Sequence, residues 1–317
     1  MILKHLLRFA AACIDAGAAL GVIFTIAGLL GRFHWFLELF TQLKLPLATC
    51  FLGYAIYKVA CRKHKTAALA LLPLLINAFP PLLLLLPQEV QPLPAHPTQI
   101  RILQANILTS NSDSKALLKL IEESNPDVIV LQETNRRWLK ELKVLNKRYP
   151  VNAAFPREDN FGAAIYCRHT NATAQIIFLN DPDKLPLTRV KLSLCNKTIT
   201  ITGVHPLAPI EAYLWKWRNR YTVELAGEVA TIKGAQIVTG DLNNTPWTKY
   251  YQEFIKTSGL LDSSQGRGSL ATWPTHQALV RIPLDHCFHS KDVIISSRRR
   301  GPQIGSDHFP ILIDALF

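Results

Sequence analysis

The chain of 317 residues is long enough for one large domain and an additional region. Its hydrophobic residues make up 49% of the sequence, and its formal net charge is +12. The hydrophobic share exceeds what a soluble enzyme needs, so part of the chain is expected to lie in a membrane.

The apolar excess is concentrated at the start of the chain. Residues 10–30 have about the length that crosses a bilayer and contain one charge, Asp15. Residues 45–60 are a shorter candidate with Lys58 near the end, where its long side chain can reach the interface. Residues 67–87 have no charge but contain prolines, which a membrane span tolerates. A cleaved signal peptide is the alternative for the first segment, but two further apolar segments follow it. We expect a membrane region at residues 1–87 with three transmembrane helices.

The placement of lysine and arginine predicts the orientation in the membrane. Basic residues precede the first span and cluster between the second and third, whereas two separate the first from the second. The positive-inside rule then puts the amino terminus in the cytoplasm. The rest of the chain after about residue 88 would lie outside the cytoplasm, in a multi-pass inner or plasma membrane protein. Losing the short second span would reverse this conclusion.

The cysteines carry little information. Three lie in the membrane region, and Cys167, Cys195 and Cys287 lack the spacing of a metal site. Three packed thiols and one disulfide among these three both stay open.

The remaining segments alternate between strand and helix patterns. Residues 88–98 are proline-rich, which predicts a stiff linker before a domain at residues 99–317. Helical spacing is found at residues 112–125, with Ser112 or Asp113 as the cap, and at 136–149, 210–232 and from Trp247 onward. Strand patterns occupy residues 100–108, 126–134, 162–168, 174–179, 188–194, 197–205, 235–241, 270–273, 284–290 and 309–316. Strands with helices between them favour layered sheets covered by helices, an α/β fold.

Polar residues recur at the ends of the apolar runs. In chain order they are Asn106, Glu133, His205, Asp241, Asn243, Asp285, Asp307 and His308. Loops at strand ends are where sheet folds assemble functional sites. Each residue alone is more often a turn former, a helix cap or a structural histidine. The ordered set therefore carries the functional prediction.

This set resembles the endonuclease/exonuclease/phosphatase family, which includes pancreatic-type deoxyribonucleases, and we interpret the chain as a membrane-anchored bacterial type. The matching elements are Asn106, Gln132-Glu133, Val204-His205, Gly240-Asp241-x-Asn243, Leu284-Asp285-His286 and Gly305-Ser306-Asp307-His308-x-Pro310. The resemblance covers residues 99–317. It implies a four-layer α-β-β-α sandwich with a site at one edge, and hydrolysis of phosphodiester bonds.

The resemblance also implies a metal site. Glu133 would hold Mg²⁺ or Mn²⁺, with Asn106 close by and Asp307 on the other side. Many members of the family carry an acidic residue where this chain has Leu108. That departure favours one metal ion without excluding two.

Catalytic roles are implied for five further residues. Asp241 would orient and deprotonate the attacking water, and Asn243 would hold the phosphate or Asp241. Asp285 would fix the tautomer of His308, which would hydrogen-bond the phosphate or shuttle a proton. His205 is expected near the phosphate or the leaving group.

The substrate is open at this point. Basic stretches at residues 136–148, 215–221 and 298–300 could follow a nucleic acid, with Trp215 or Trp217 stacking on bases. For the first two stretches, charged faces of surface helices with one tryptophan packed inward are the more common explanation. In a third interpretation the same charges meet anionic lipid head groups. The leading prediction is nucleic acid, followed by a lipid head group or small phosphorylated molecule, and then by an inactive binding module. Nothing in the sequence indicates an obligate protein partner.

Overall fold

The structure is a computed structural model that describes residues 1–87, 97–180 and 184–317. Most of the predicted linker at residues 88–98 lies outside these described residues. The described chain consists of an amino-terminal group of helices and an α/β domain in contact with it.

The amino-terminal region has four helices, α1 (Ile2–Leu29), α2 (Trp35–Thr41), α3 (Lys44–Ala60) and α4 (His64–Leu83). Helices α1 and α4 are each long and apolar enough to cross a membrane. Helices α2 and α3 meet this criterion only as a pair, and the pair is bent by 55°. The predicted first and third spans therefore correspond to single helices, whereas the second is a span only if the bent pair crosses as one unit.

Polar contacts join these helices inside the apolar region. Asp15 on α1 forms a 2.5 Å ion pair with Lys58 on α3 and accepts a 2.8 Å hydrogen bond from Tyr54. Asn77 on α4 donates a 2.8 Å hydrogen bond to the hydroxyl of Thr25 on α1. Charges inside a membrane are stabilised by such pairing. Lys58 is buried in this contact with Asp15, and its reach to the interface stays a prediction.

The α/β domain contains two mixed sheets of six strands each within the described residues. Its strands are β1 (Gln99–Asn106), β2 (Val128–Gln132), β3 (Val151–Phe155), β4 (Ala163–Cys167), β5 (Ala172–Phe178), β6 (Pro186–Leu194), β7 (Lys197–Val204), β8 (Ala235–Asp241), β9 (Leu261–Asp262), β10 (Asp285–His289), β11 (Ile294–Arg300) and β12 (Ile311–Leu316). Its helices are α5 (Ser114–Ser124), α6 (Arg136–Glu141), α7 (Ala212–Ala230) and α8 (Lys249–Ser258).

The layers follow from three apolar cores. The first sheet has the order β11-β12-β1-β2-β4-β3 and the second the order β5-β6-β7-β8-β10-β9. One core fills the space between the sheets, a second lies between the first sheet and α5 and α6, and a third lies between the second sheet and α7 and α8. Within the described residues this is the four-layer arrangement of an α-β-β-α sandwich.

Most predicted elements are present with small shifts of their ends. Asp113 caps α5 by accepting hydrogen bonds from two backbone amides, as predicted. The predicted strand at residues 270–273 is wrong, because Trp273 makes just an isolated bridge to Ile282. The basic helix predicted at residues 136–149 changes to a 3₁₀ helix after Glu141. Strands β3 and β11 were missed because polar or basic residues interrupt their apolar pattern.

The six cysteines, all at described positions, are free thiols. Cys167 and Cys287 are buried in the core between the sheets, and Cys195 is exposed in the tight turn between β6 and β7. The sequence left open free thiols or one disulfide, and the structure contains free thiols.

Polar contacts join the helical region to the α/β domain at α2 and beyond the end of α4. Glu38 on α2 forms a buried ion pair with Arg218 on α7. Beyond α4, the carbonyl of Leu84 accepts a 2.8 Å hydrogen bond from the amide of Gly266, and the side chain of Gln265 donates to the carbonyl of Leu86 at 2.7 Å. The connection from α1 to α3 and the end of α4 therefore meet the same domain.

Candidate active site

The predicted polar residues come together at one edge of the sandwich because of the strand directions. Strands β1 and β2 run parallel, as do β7 and β8, so the carboxyl ends of each pair meet at the same edge. Asn106 ends β1, and Glu133 and His205 directly follow β2 and β7. Strand β10 is antiparallel to β8, and its first residue, Asp285, pairs in register with Asp241 at the end of β8.

Glu133 lies in a constrained turn. Its φ of +63° is in the left-handed region, which non-glycine residues adopt rarely. Oε1 accepts a 2.8 Å hydrogen bond from Asn106 Nδ2, and Oε2 accepts a 3.1 Å hydrogen bond from the amide of Thr109. The carboxylate is thereby fixed at the wall of the cavity described below.

A histidine and a carboxylate form the shortest charged contact of the site. His308 Nδ1 lies 2.8 Å from Asp285 Oδ2. Gln104, fully buried in β1, donates through Nε2 to Asp285 Oδ1 at 2.8 Å and to Gln132 at 2.8 Å. Asp285 therefore has partners on both oxygens, and its geometry holds the His308 ring in one orientation.

Asp241 is the point on which the other groups converge. Its Oδ2 lies 3.5 Å from His308 Nε2 and 3.6 Å from His205 Nε2, and it accepts a 3.2 Å hydrogen bond from Asn106 Nδ2. Its Oδ1 accepts a 2.8 Å hydrogen bond from the backbone amide of Asn243. Two imidazole rings and one amide thus surround a single buried carboxylate oxygen.

These contacts change the acid-base properties of the three groups. Burial disfavours the charged form of His308, but the nearby Asp285 and Asp241 carboxylates outweigh it and raise its pKa to about 10. Burial likewise opposes charge on His205, and its contact with Asp241 raises the pKa. For Asp241, burial is overcome by His308 and His205, and its pKa lies below the ordinary value. At neutral pH the site therefore holds the ionised Asp241 carboxylate beside the protonated His308 ring.

Asn243 and Asp307 make contacts that their predicted roles did not include. The side chain of Asn243 donates to the carbonyl of Pro206 at 3.0 Å. Asp307 Oδ2 accepts a 2.9 Å hydrogen bond from Trp273 Nε1, and its Oδ1 is buried with no hydrogen-bond partner among the described residues. An orphaned carboxylate oxygen is costly unless a cation or a donor meets it.

The donor set is compatible with a magnesium-type ion. No group of three or more His, Cys, Asp and Glu side chains with the geometry of a metal site occurs in the described part of the chain. Mg²⁺, however, needs one or two carboxylates because it keeps several of its waters. Glu133 and Asp307 line the same cavity, and the unpartnered oxygen of Asp307 is available for such an ion.

A cavity of about 360 Å³ contains these groups. Glu133, His205, Asp241, Asn243, Asp307 and His308 all line it. Aromatic side chains from Phe161 and Trp273 form part of the wall. The helical region contributes three further lining residues: Leu39, Gln42 and Leu43.

Sequence reasoning missed several of these residues. Gln104 carried a signal, because it is a polar side chain inside an otherwise apolar strand pattern. Trp273 and the residues of α2 carried none, since nothing in their local pattern places them beside the site. Of the tryptophans singled out as base-stacking candidates, Trp215 donates instead to Glu38 Oε2 at 2.8 Å.

Comparison with protein families supplies the identity of the domain. Residues 103–308, more than half of the chain, match the model of the Endonuclease/Exonuclease/phosphatase family. The chain belongs to this family. The finer likeness to pancreatic-type deoxyribonucleases and to a membrane-anchored type stays a prediction, and a comparison with curated proteins found no match.

Several solved structures share the fold of this domain. The chain is similar to D. rerio TDP2 complexed with a single-strand DNA product, with 16% identity, a TM-score of 0.58, and coverage of 69% of this chain and 99% of that one. The human Nocturnin catalytic domain with a bound sulfate anion is 18% identical, with a TM-score of 0.55 and coverage of 68% of this chain and 94% of that one. An endonuclease/exonuclease/phosphatase from Bacteroides vulgatus is 18% identical, with a TM-score of 0.56 and coverage of 69% of this chain and 98% of that one. These likenesses establish the sandwich fold of the α/β domain.

Proposed function

We propose that this protein is a membrane-anchored, divalent-metal-dependent phosphodiesterase. The observation that carries the proposal is the buried arrangement in which His308, held by Asp285, faces Asp241 across 3.5 Å in a cavity lined by Glu133. Endonucleases, exonucleases and phosphatases all cleave phosphate esters, so the family is consistent with this chemistry. The complete set of polar residues argues against an inactive binding module.

Each residue of the site has a separate role in the proposed hydrolysis. The ionised Asp241 accepts a hydrogen bond from the attacking water and takes its proton as the new P–O bond forms. As the ester P–O bond breaks, the departing oxygen takes a proton from an imidazolium, for which His308 and His205 are the candidates. Asp285 keeps the His308 ring oriented, and Asn243 positions Asp241 through its backbone amide.

A divalent ion would supply charge neutralisation on the non-bridging oxygens of the phosphate. Mg²⁺ or Mn²⁺ would be held by Glu133 and Asp307, with Asn106 orienting the Glu133 carboxylate through its 2.8 Å hydrogen bond. The lack of an acidic residue at Leu108 favours a single ion.

The contacts between the two regions support a domain outside the cytoplasm. The α1–α3 connection and the end of α4 both touch the α/β domain, through Glu38 and through Leu84 to Leu86. Both therefore lie on the side of the membrane that holds the domain, and this needs three crossings, with α3 returning across the membrane between α1 and α4. With the amino terminus in the cytoplasm, three crossings place the domain on the outer side.

The sequence-based prediction of a nucleic-acid substrate stays a prediction. It is supported by the similarity to D. rerio TDP2, whose structure contains a single-strand DNA product. Within residues 215–221, however, Arg218 is buried against Glu38. Within residues 298–300, Arg298 donates to the carbonyl of Asp285 at 2.9 Å. These two arginines make contacts inside the protein and are not available to bind a nucleic-acid backbone.

The experiment that tests the proposal is hydrolysis of bis(p-nitrophenyl) phosphate by the full-length protein in detergent, with Mg²⁺, with Mn²⁺ and with chelator. We expect turnover that chelator removes. His308→Ala should lower the rate by about 10²–10⁴-fold, because it removes the proton donor. Glu133→Gln should raise the Mg²⁺ concentration needed for half-maximal rate by about 100-fold.

A second histidine-carboxylate pair provides the control. His169 lies 3.0 Å from Asp127, which precedes β2 and is therefore at the opposite edge of the sheet from Glu133. His169→Ala should leave the rate unchanged. Turnover that persists in chelator, or equal loss in the His169 and His308 variants, would remove the basis of the proposal.

A further inference from the structure

The lining of the catalytic cavity contains two chemically different groups of side chains. One group is the catalytic carboxylates and imidazoles. The other group is aliphatic: Leu39, Leu43, Ile210, Ile282 and Leu284. A cavity with both ionic and apolar walls is complementary to a molecule that carries a phosphate ester and a hydrocarbon part.

The part of the wall that α2 contributes is fixed in place by buried contacts. Arg218 on α7 is fully buried and pairs with Glu38 on α2, which also accepts a 2.8 Å hydrogen bond from Trp215. On its other side, α2 is joined to α1 by a 2.7 Å hydrogen bond from Thr41 to the carbonyl of Gly28. Separating a buried ion pair leaves uncompensated charge, so α2 is a stable wall of the cavity. A nucleic-acid strand crossing the site would meet this wall.

Gln42 adds a polar group next to the aliphatic lining residue Leu43. It is 7% exposed and lines the cavity, and its Oε1 has no hydrogen-bond partner in the described part of the chain. A buried acceptor without a partner is costly, which points to a ligand that donates to it. A hydroxyl or an N–H group of a lipid head group is such a donor.

The helical region also contains an apolar groove. It has a volume of about 580 Å³, lies between α1 and α3, and includes Phe24 and Leu47. The amide of Leu47 donates to the carbonyl of Leu43 at 2.9 Å, so these residues are one helical turn apart. Residues four apart lie on the same face of a helix. The wall of the groove at Leu47 is therefore one helical turn from the wall of the catalytic cavity at Leu43.

We infer that the substrate is a phosphodiester-bearing membrane lipid. Its phosphate lies against Asp241 and His308, and its hydrocarbon part passes Leu39 and Leu43 toward the groove between α1 and α3. This inference rests on the proposed function and uses the same reaction. The oxygen of water bonds to phosphorus, one ester bond breaks, and the departing oxygen takes a proton, so that the hydrocarbon part stays in the bilayer.

The test compares three classes of phosphodiester as substrates of the full-length protein in the presence of Mg²⁺. The probes are phosphatidylethanolamine, phosphatidylglycerol and sphingomyelin in nanodiscs, a single-strand DNA oligonucleotide, and bis(p-nitrophenyl) phosphate. Products are quantified by mass spectrometry. We expect cleavage of at least one lipid, and Leu43→Trp, which fills the apolar part of the cavity, should lower the ratio of lipid to soluble-diester turnover by about tenfold or more. Leu39→Trp is the second variant, in case the first fails to fold.

The matched control is Phe36→Trp, which enlarges an exposed side chain on α2 that does not line the cavity. It should leave both rates unchanged. Turnover of the soluble diester with no cleavage of lipid, or cleavage of DNA alone, would overturn the inference while leaving the proposed function intact. An equal loss on lipid and soluble diester in both tryptophan variants at positions 39 and 43 would also overturn it. No turnover of any probe by folded, metal-loaded protein would remove the proposed function and the inference together.

Discussion

The protonation of His308 is decided by its two carboxylate neighbours. Burial alone would lower its pKa, but Asp285 at 2.8 Å and Asp241 at 3.5 Å raise it to about 10. The ring is then an imidazolium at neutral pH and can donate from both nitrogens. A ring that is already protonated before substrate binds is suited to give a proton to a departing oxygen.

This pKa predicts how stability depends on pH in the metal-free protein. The pKa of His308 is higher in the folded chain than the value of about 6.5 expected when unfolded. The folded state therefore binds more protons between these values, and the stability contributed by His308 is lost as pH rises toward about 10. We expect the melting temperature in chelator to fall between neutral pH and this value.

The comparison is with Asp285→Asn, which removes one of the carboxylates that raise the pKa. Its melting temperature should fall less over the same pH range. Thermal unfolding followed by tryptophan fluorescence measures both proteins. A wild-type melting temperature that does not change over this range would contradict the raised pKa.

At the scale of elements, the sequence predicted what depends on local pattern. The strand ends that carry Asn106, Glu133 and Asp241 were predictable, because strand periodicity and the parallel arrangement bring carboxyl ends together. Gln104 and Trp273 were not, because their contacts with Asp285 and Asp307 join segments far apart in the chain. The docking of α2 was likewise unpredictable, since a seven-residue helix gives no sign of its partner.

The ion pair between Glu38 and Arg218 gives a prediction for this docking. Glu38→Gln leaves Arg218 buried without a carboxylate and should destabilise the protein by about 3–5 kcal/mol. Arg218 also donates to the backbone carbonyl of Asn243 at 3.2 Å, so the rate of hydrolysis should fall as well. Thermal unfolding and turnover of a soluble diester measure the two effects.

Two controls separate this effect from a general sensitivity to charge. Glu253→Gln removes a surface partner of Lys249, 3.5 Å away, and should cost about 0–1 kcal/mol. Replacing both members, Glu38→Leu with Arg218→Met, should recover much of the lost stability because no charge is left buried. A Glu38→Gln protein as stable as the Glu253→Gln protein would show that the pair does not fix α2.

At the scale of the whole molecule, the amino-terminal helical region and the α/β domain share one cavity. The domain is the family fold, and its cavity is completed by residues 39, 42 and 43 from outside the matched segment. The two regions are therefore structurally linked in this chain. The same contacts place the α1–α3 connection and the end of α4 on the side of the domain.

Exposed cysteines allow the topology to be tested. Cys61 lies at the turn between α3 and α4, and Cys195 lies in the α/β domain. With three crossings and a cytoplasmic amino terminus, a membrane-impermeant maleimide should label Cys195 in intact cells and Cys61 only after permeabilisation. Cys13 and Cys50 are replaced by alanine to remove background labelling. The reverse order of labelling would mean that the domain is cytoplasmic.

Leu39 of α2 lies in the wall of the catalytic cavity, and this arrangement predicts how the rate should respond to substrate concentration. If the lipid reaches Asp241 from within the bilayer, enzyme and substrate meet by lateral diffusion in the same plane. The relevant concentration is then the mole fraction of substrate among the lipids, whatever the volume of the surrounding solution. Diluting the lipid substrate with an inert lipid should slow the enzyme, whereas diluting the suspension with buffer should leave turnover per molecule unchanged.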